Sequence, residues 1–206
     1  MKKIAFLIVL CASNAYTRVT DYPINQQFTQ RWSSRAFSQE PVSKKEVMSL
    51  FEAARWAPSC FNSQPWKFIW ARNGTPEFKK MFDCLVPFNQ EWVINAPILI
   101  AILSKDTFDH NGEFSRTHSF DTGAAWAYLA LQASLDGMVA HGMSGFDYEQ
   151  AKSALRVPDG YTVEAMVAVG KKGKPSNAPE HIRSMEKKSD RRSVDEFVFE
   201  GTFGSK

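Results

Sequence analysis

Two arginines and a serine in the stretch RWSSRAF, at Arg31, Ser33 and Arg35, carry the first chemistry in this chain. Paired guanidinium groups with a hydroxyl between them match a terminal phosphate. A second cluster lies at positions 57–66, APSCFNSQPW, where Ser59, Asn62, Ser63 and Gln64 offer hydroxyls and amides between two prolines. So many donors and acceptors in one short corner form a surface built to hydrogen-bond a ligand. Each cluster also has a plainer account. The arginines fit a solvated basic stripe, and the corner fits a capped, wet turn, although such a turn explains the prolines better than it explains four amide and hydroxyl side chains.

The elements that must position these groups follow from periodicity. Over 22–37 the spacing predicts a helix, with Phe28 and Trp32 four apart on one ridge and Arg31 and Arg35 four apart on the next. A second helix begins at the capping-box pair Ser43 and Glu46, runs through Val47, Leu50, Phe51 and Ala54, and stops at Pro58, so that it delivers the polar corner. Strands are expected at 66–74, closed by Asn-Gly, and at 96–104, an apolar run buried on both faces. A helix lies between them around 77–82. A long apolar helix from about Asp121 to Gly137 reads as central, followed by a strand into a glycine turn at 138–147, a short helix stopped by Pro158, and a strand at 163–170. The polar, basic tail ends in VDEFVFEGTFG, whose aromatic residues predict docking, with a partner subunit as one candidate surface. Helices mixed with at least four short strands, without an internal repeat or a dividing linker, imply an α+β layered fold.

Composition narrows the function. The chain has 206 residues, 44% of them hydrophobic, enough for one sizeable core, and its net charge of +3 is too small a surplus to argue for nucleic acid. No GxGxxG or P-loop sequence occurs, so a phosphate must be held by side chains, which points to a mononucleotide cofactor with an exposed phosphate end. Cys11, Cys60 and Cys84 have neither zinc nor disulfide spacing and read as ordinary thiols, with no metal site expected. MKKIAFLIVLCASNA has the pattern of a signal peptide but is too short to span a bilayer; the alternative is a hydrophobic extension over residues 1–20, ahead of one domain at 21–206.

RWSSRAF, ARWAPSCFNSQPWKF, GMSGFD and DRRSVDEFVFEG, in that order, resemble the nitroreductase-like flavoprotein family, and the match covers nearly everything from residue 22 onward. The resemblance implies an FMN-dependent oxidoreductase with a central, mostly antiparallel sheet flanked by helices, assembled as an intertwined homodimer with two active sites at the subunit interface. Arg31, Ser33 and Arg35 would grip the FMN phosphate and ribityl chain, joined by Arg191 of the late DRRS motif. Pro58, Ser59, Asn62 and Gln64 would approach the flavin's polar rim from the other subunit. Gly142, Met143, Ser144 and Gly145 would lie along the ring, where missing side chains let the backbone come close. NADH or NADPH would supply hydride, a nitroaromatic or quinone would receive it in a ping-pong scheme, and no side chain need act as nucleophile or essential base. Reductive dehalogenation, flavin modification and flavin binding without turnover remain the alternatives.

Trp32 and Cys60 depart from the commoner family pattern. His141 could line the pocket or be a hydrogen-bonded strand histidine, and Trp70, Trp92, Phe108 and Trp126 could stack substrates or belong to the core. The expected location is the cytoplasm, because an exported chain would cross a membrane unfolded and have to acquire FMN outside. Cleavage near Tyr16 would reverse that expectation.

Overall fold

The computed structural model describes residues 18–205. They form two compact units, one of residues 25–187 and a smaller one of residues 18–24 with 188–205. The expected leader at 1–15, with Cys11, lies outside the described residues.

A four-stranded sheet organises the larger unit. β1 (Trp66–Arg72), β2 (Ile98–Lys105), β3 (Met138–Met143) and β4 (Tyr161–Lys171) lie in the order β1-β2-β4-β3, with every neighbouring pair antiparallel. β2 is buried along its length, as its unbroken apolar run predicts. Ile98, Ile100 and Ile102 face one core, and Leu99, Ala101 and Leu103 face the other. Each large apolar side chain so placed contributes roughly 1.5–3 kcal/mol relative to exposure, which makes this strand the axis of both cores.

On the isoleucine face pack α2 (Lys44–Arg55), through Val47, Leu50 and Ala54, and α5 (His118–Leu135), through Ala125, Leu129 and Ala133. The opposite face is covered by α3 (Pro76–Phe82), α4 (Pro87–Val93) and α6 (Tyr148–Ala154), which contribute Phe78 and Met81, Trp92 and Val93, and Ala151. The α+β expectation therefore holds. α4 was not foreseen from periodicity, although Pro87 at its first turn is a recognisable start signal.

A bulge lies between Ile102 and Leu103 of β2, where β4 passes from Ala165 to Val163 and leaves Glu164 out of register. Its carboxylate accepts hydrogen bonds from Ser104 (2.5 Å) and from Ser119 at the start of α5 (2.7 Å), tying that helix to the sheet.

The smaller unit holds the tail. Asp21 accepts a hydrogen bond from the Val194 amide at 2.8 Å, Ser193 caps the 3-10 turn Val194–Glu196, and the Phe199 and Phe203 rings lie 5.1 Å apart. Arg191 is bonded locally, to the carbonyls of Ser189 and Asp190 and the hydroxyl of Ser189.

The capping box of α2 forms as expected, with Ser43 and Glu46 exchanging both hydrogen bonds. Glu46 also accepts from Lys171 at the end of β4, and this bond, with those from Ser43, lowers its carboxyl from the ordinary 4.5 to about 2. Because the folded state holds this proton less tightly than the unfolded chain, the stabilisation is complete above pH 4.5 and fades as pH falls towards 2. Glu46→Gln is expected to lower the urea midpoint at neutral pH and to approach the parent at about pH 3; a deficit unchanged with pH would remove the charge from this account.

Candidate functional site

α1 is short, covering only Gln26–Gln30, with Asn25 as its cap. The helix does not continue to residue 37 as the apolar spacing predicts. Arg31 is already extended (φ −65°, ψ 132°), and the chain beyond it crosses to the sheet, where Phe37 bridges Lys172. The reason is that partners distant in sequence claim the groups a helix would pair locally. Glu186 accepts from the Arg35 amide and from the Ser34 hydroxyl, each at 2.6 Å, while the Ser34 hydroxyl itself accepts from the Ala36 amide at 3.1 Å. Arg31 and Arg35 are thus set on an extended strap rather than one helical turn apart. Where the strap meets the end of the sheet, the Gly173 amide bonds the Ala36 carbonyl (2.9 Å), and a Cβ at Gly173 would lie 2.6 Å from the Phe37 carbonyl carbon. Only glycine allows that approach.

An open cleft of about 640 Å³ lies over α5 and the end of β3. Arg31, Ser33, Gly142, Met143 and Ser144 all line it, together with Phe28, Trp126, Ala127, Ala130, Leu131 and Ala165. The strap and the glycine turn, more than a hundred residues apart in sequence, therefore share one wall-to-wall space. Gly142 packs directly beneath Trp126, where an added Cβ would stand 3.0 Å from the indole. The cleft thus combines a cation and hydroxyls with aromatic and aliphatic walls, and its volume falls within the roughly 300–1,000 Å³ usual for small-molecule sites.

The other expected residues lie elsewhere. The Arg35 guanidinium sits over the rings of Phe88 (5.9 Å) and Trp92 (5.8 Å), and its Nε is buried without a hydrogen-bond partner. Gly145 is packed against α4, its carbonyl accepting from Asn89 Nδ2 at 3.0 Å. Arg191 belongs to the smaller unit.

The polar corner adopts a strained form. Phe61, Asn62 and Gln64 have φ of 52°, 54° and 47°, a region that costs a non-glycine residue energy and is concentrated at binding sites. Ser59 Oγ accepts from the Gln64 amide at 3.1 Å, and Gln64 Nε2 donates to the Asn62 carbonyl at 3.1 Å, so part of its hydrogen-bonding capacity is spent on holding the turn. The Cys60 amide is anchored on Asp121 at the start of α5 (3.0 Å). Pro58, Ser59, Asn62 and Gln64 do not line the cleft, which lies further along the same helix. Among the cysteines, Cys84 is buried and its thiol is pushed up by that burial, as an ordinary core thiol would be; Cys60 is half-buried.

Sequence reasoning missed Glu186 and the aliphatic residues of α5 that complete the cleft. Nothing local marks Glu186, whose partners lie about 150 positions earlier.

The Nitroreductase family profile matches residues 28–171. This chain belongs to that family. The matched segment contains every residue lining the cleft, whereas Glu186 and Arg191 fall outside it. A Rhodopseudomonas palustris protein provisionally named NADH dehydrogenase/NAD(P)H nitroreductase is 28% identical over 159 residues, covering 68% of this chain and 80% of that one. A crystal structure described as an oxidoreductase containing FMN superposes with a TM-score of 0.88 at 40% identity, covering 94% of this chain and all of the other. A Desulfovibrio desulfuricans protein provisionally described as a nitroreductase, solved in complex with FMN, gives a TM-score of 0.69 at 26% identity, covering 89% and 99%. In this member of the Nitroreductase family, as in those structures, the fold is α+β.

His141, next to the cleft glycine, turns to the other face of β3. It donates from Nδ1 to the Ser34 carbonyl at 3.0 Å and packs on Trp92 with ring centres 4.6 Å apart. Burial lowers its pKa to about 4, with the charges of Arg35 and Arg31 adding to the effect and the hydrogen bond to Ser34 opposing it. The folded state therefore prefers the neutral ring; its contribution is complete above the ordinary 6.5 and is lost as pH falls through about 4. NMR titration is expected to show a His141 midpoint near 4 and an acid limb of stability that flattens in His141→Gln. A midpoint near 6.5 would contradict the buried placement.

Proposed function

We propose that this chain is an FMN-dependent oxidoreductase, taking hydride from NADH or NADPH and reducing small electron-poor acceptors, nitroaromatics or quinones, by a ping-pong scheme. One observation carries the proposal: the side-chain phosphate candidates Arg31 and Ser33 open onto the same cleft as Gly142–Ser144 and Trp126. The donor set fits a mononucleotide. A guanidinium and a hydroxyl suit its anionic end, and the exposed backbone of Gly142 beside the Trp126 indole suits a flat ring. When bound, FMN supplies the redox chemistry by accepting hydride from the nicotinamide and yielding it to the acceptor.

The protein's own residues hold and orient. Arg31 and Ser33 would bind the phosphate end, and the backbone at Gly142, Met143 and Ser144 would face the ring. Phe28, Trp126 and Leu131 would keep water from it. Arg35, Gly145 and Arg191 are assigned to the cofactor on the family resemblance alone. No side chain is required as nucleophile or essential base.

A homodimer belongs to the same proposal. α5 is apolar around most of its circumference, yet Phe120, Tyr128 and Leu135 are exposed, 79%, 41% and 61% respectively, along one side. The polar corner is tethered to the start of α5, away from its own chain's cleft, which supports a site completed by Pro58, Ser59, Asn62 and Gln64 of a second copy. No described helix is long and apolar enough to cross a membrane. We assign the activity to the cytoplasm, where FMN is available to the folding chain.

The purified protein is expected to be yellow, to release FMN identified by mass, to bleach with NADH or NADPH, and to recover colour on addition of a nitroaromatic. Arg31→Ala is expected to weaken FMN binding by about ten- to a hundredfold, the cost of one charge-assisted contact. A preparation that stays colourless in excess FMN refutes the proposal, and bound flavin that neither nicotinamide reduces refutes its enzymatic half.

The double variant Tyr128→Glu with Leu135→Glu is expected to elute as a monomer and to lose flavin; because neither residue lines the cleft, that loss would report the missing second copy. Dimer-sized elution with parental flavin content would place the interface elsewhere.

A further inference from the structure

We propose that Glu186 is the positioning residue for the phosphate end of the cofactor, acting on the strap that carries Arg31 and Ser33; the inference rests on the FMN reading above. Glu186 follows the 3-10 turn Glu180–Met185, which is fixed in the core by Ile182 and braced by Arg183 Nε on the Ala178 carbonyl (3.1 Å). From that anchor its two carboxylate oxygens divide their work. Oε1 accepts from the Arg35 amide and Oε2 from the Ser34 hydroxyl, both at 2.6 Å. From the other side His141 Nδ1 donates to the Ser34 carbonyl at 3.0 Å.

Ser34 is 1% exposed, so in the folded chain its hydroxyl and carbonyl are satisfied by these partners rather than by water. Pinning Ser34 inward fixes its neighbour Ser33, and Arg31 beyond it, on the cleft side. Both bonds to Glu186 are short and charge-assisted, the kind that holds geometry best.

Such a residue acts without touching the cofactor. A carboxylate close to an anion site opposes phosphate by simple charge, so its value must lie in geometry rather than attraction. That separates it from Arg31. Removing Glu186 loosens the strap and weakens whatever depends on the phosphate, while the ring's contacts along Gly142–Ser144 remain. Glutamine in its place retains an acceptor for the Arg35 amide and a polar partner for the Ser34 hydroxyl, and it keeps the strap in position.

The test compares FMN with riboflavin, which has the same ring and ribityl chain but no phosphate, by fluorescence titration of parent, Glu186→Ala and Glu186→Gln. Hydrogen exchange on the same flavin-free proteins gives a second readout. Glu186→Ala is expected to weaken FMN about tenfold while riboflavin stays within about twofold of parent, and Glu186→Gln is expected to restore most of the FMN affinity. In Glu186→Ala, exchange should rise at residues 34–36 while β2 and β4 keep their protection. Parental FMN affinity in Glu186→Ala overturns the inference, as does an equal loss for both ligands or protection at Arg35 that does not change. A parent protein that binds no FMN instead overturns the cofactor reading itself, so the two failures are distinct.

Discussion

The strap from Arg31 to Phe37 has to cross from a short helix to the end of the sheet while the buried amides and hydroxyl around Ser34 find partners. A buried amide or hydroxyl left unpaired costs about 1–3 kcal/mol, more than the helix propensity of the same few residues can return. Glu186 and His141 supply the partners, one on each side of Ser34, and Gly173 removes the Cβ that would block the strap's arrival beside the sheet. With those bonds made, α1 stops at Gln30 and the strap stays extended. Arg31 and Ser33 then reach the cleft, and Arg35 turns to the rings of Phe88 and Trp92.

The sheet gives the cleft its floor. β3 alternates, sending His141 into one core and Gly142 to the opposite face beneath Trp126 of α5. The missing side chain at Gly142 is therefore a packing requirement, since the Trp126 indole takes the space beside a Cβ. α5 is held at its start by Ser119 on Glu164 and by Asp121 on the Cys60 amide, so the helix that walls the cleft also fixes the polar corner. The left-handed backbone at Phe61, Asn62 and Gln64 is strain that the corner's internal hydrogen bonds sustain, and these residues lie outside their own chain's cleft.

Much of this was legible in the residues. The capping box at Ser43 and Glu46, the doubly buried run of β2, and the long apolar helix closed near Gly137 all rest on local spacing, and local spacing is what periodicity reports. The motif order that marks the family is equally local. The strap was misread for the converse reason. Phe28 and Trp32 have helical spacing, and the partners that override it, Glu186 and His141, lie more than a hundred residues later.

The sequence alone determined which groups are available to a ligand, namely arginines, hydroxyls, amides and a glycine-rich turn, because residue chemistry needs no coordinates. It also settled most helices and strands, because their periods are written in neighbouring side chains. Tertiary structure decided which of those groups meet. It joined Arg31 and Ser33 to Gly142–Ser144, turned Arg35 and His141 away, and brought Glu186 to the strap, since contacts between distant segments depend on how the sheet orders its strands and on which buried polar atoms must be satisfied.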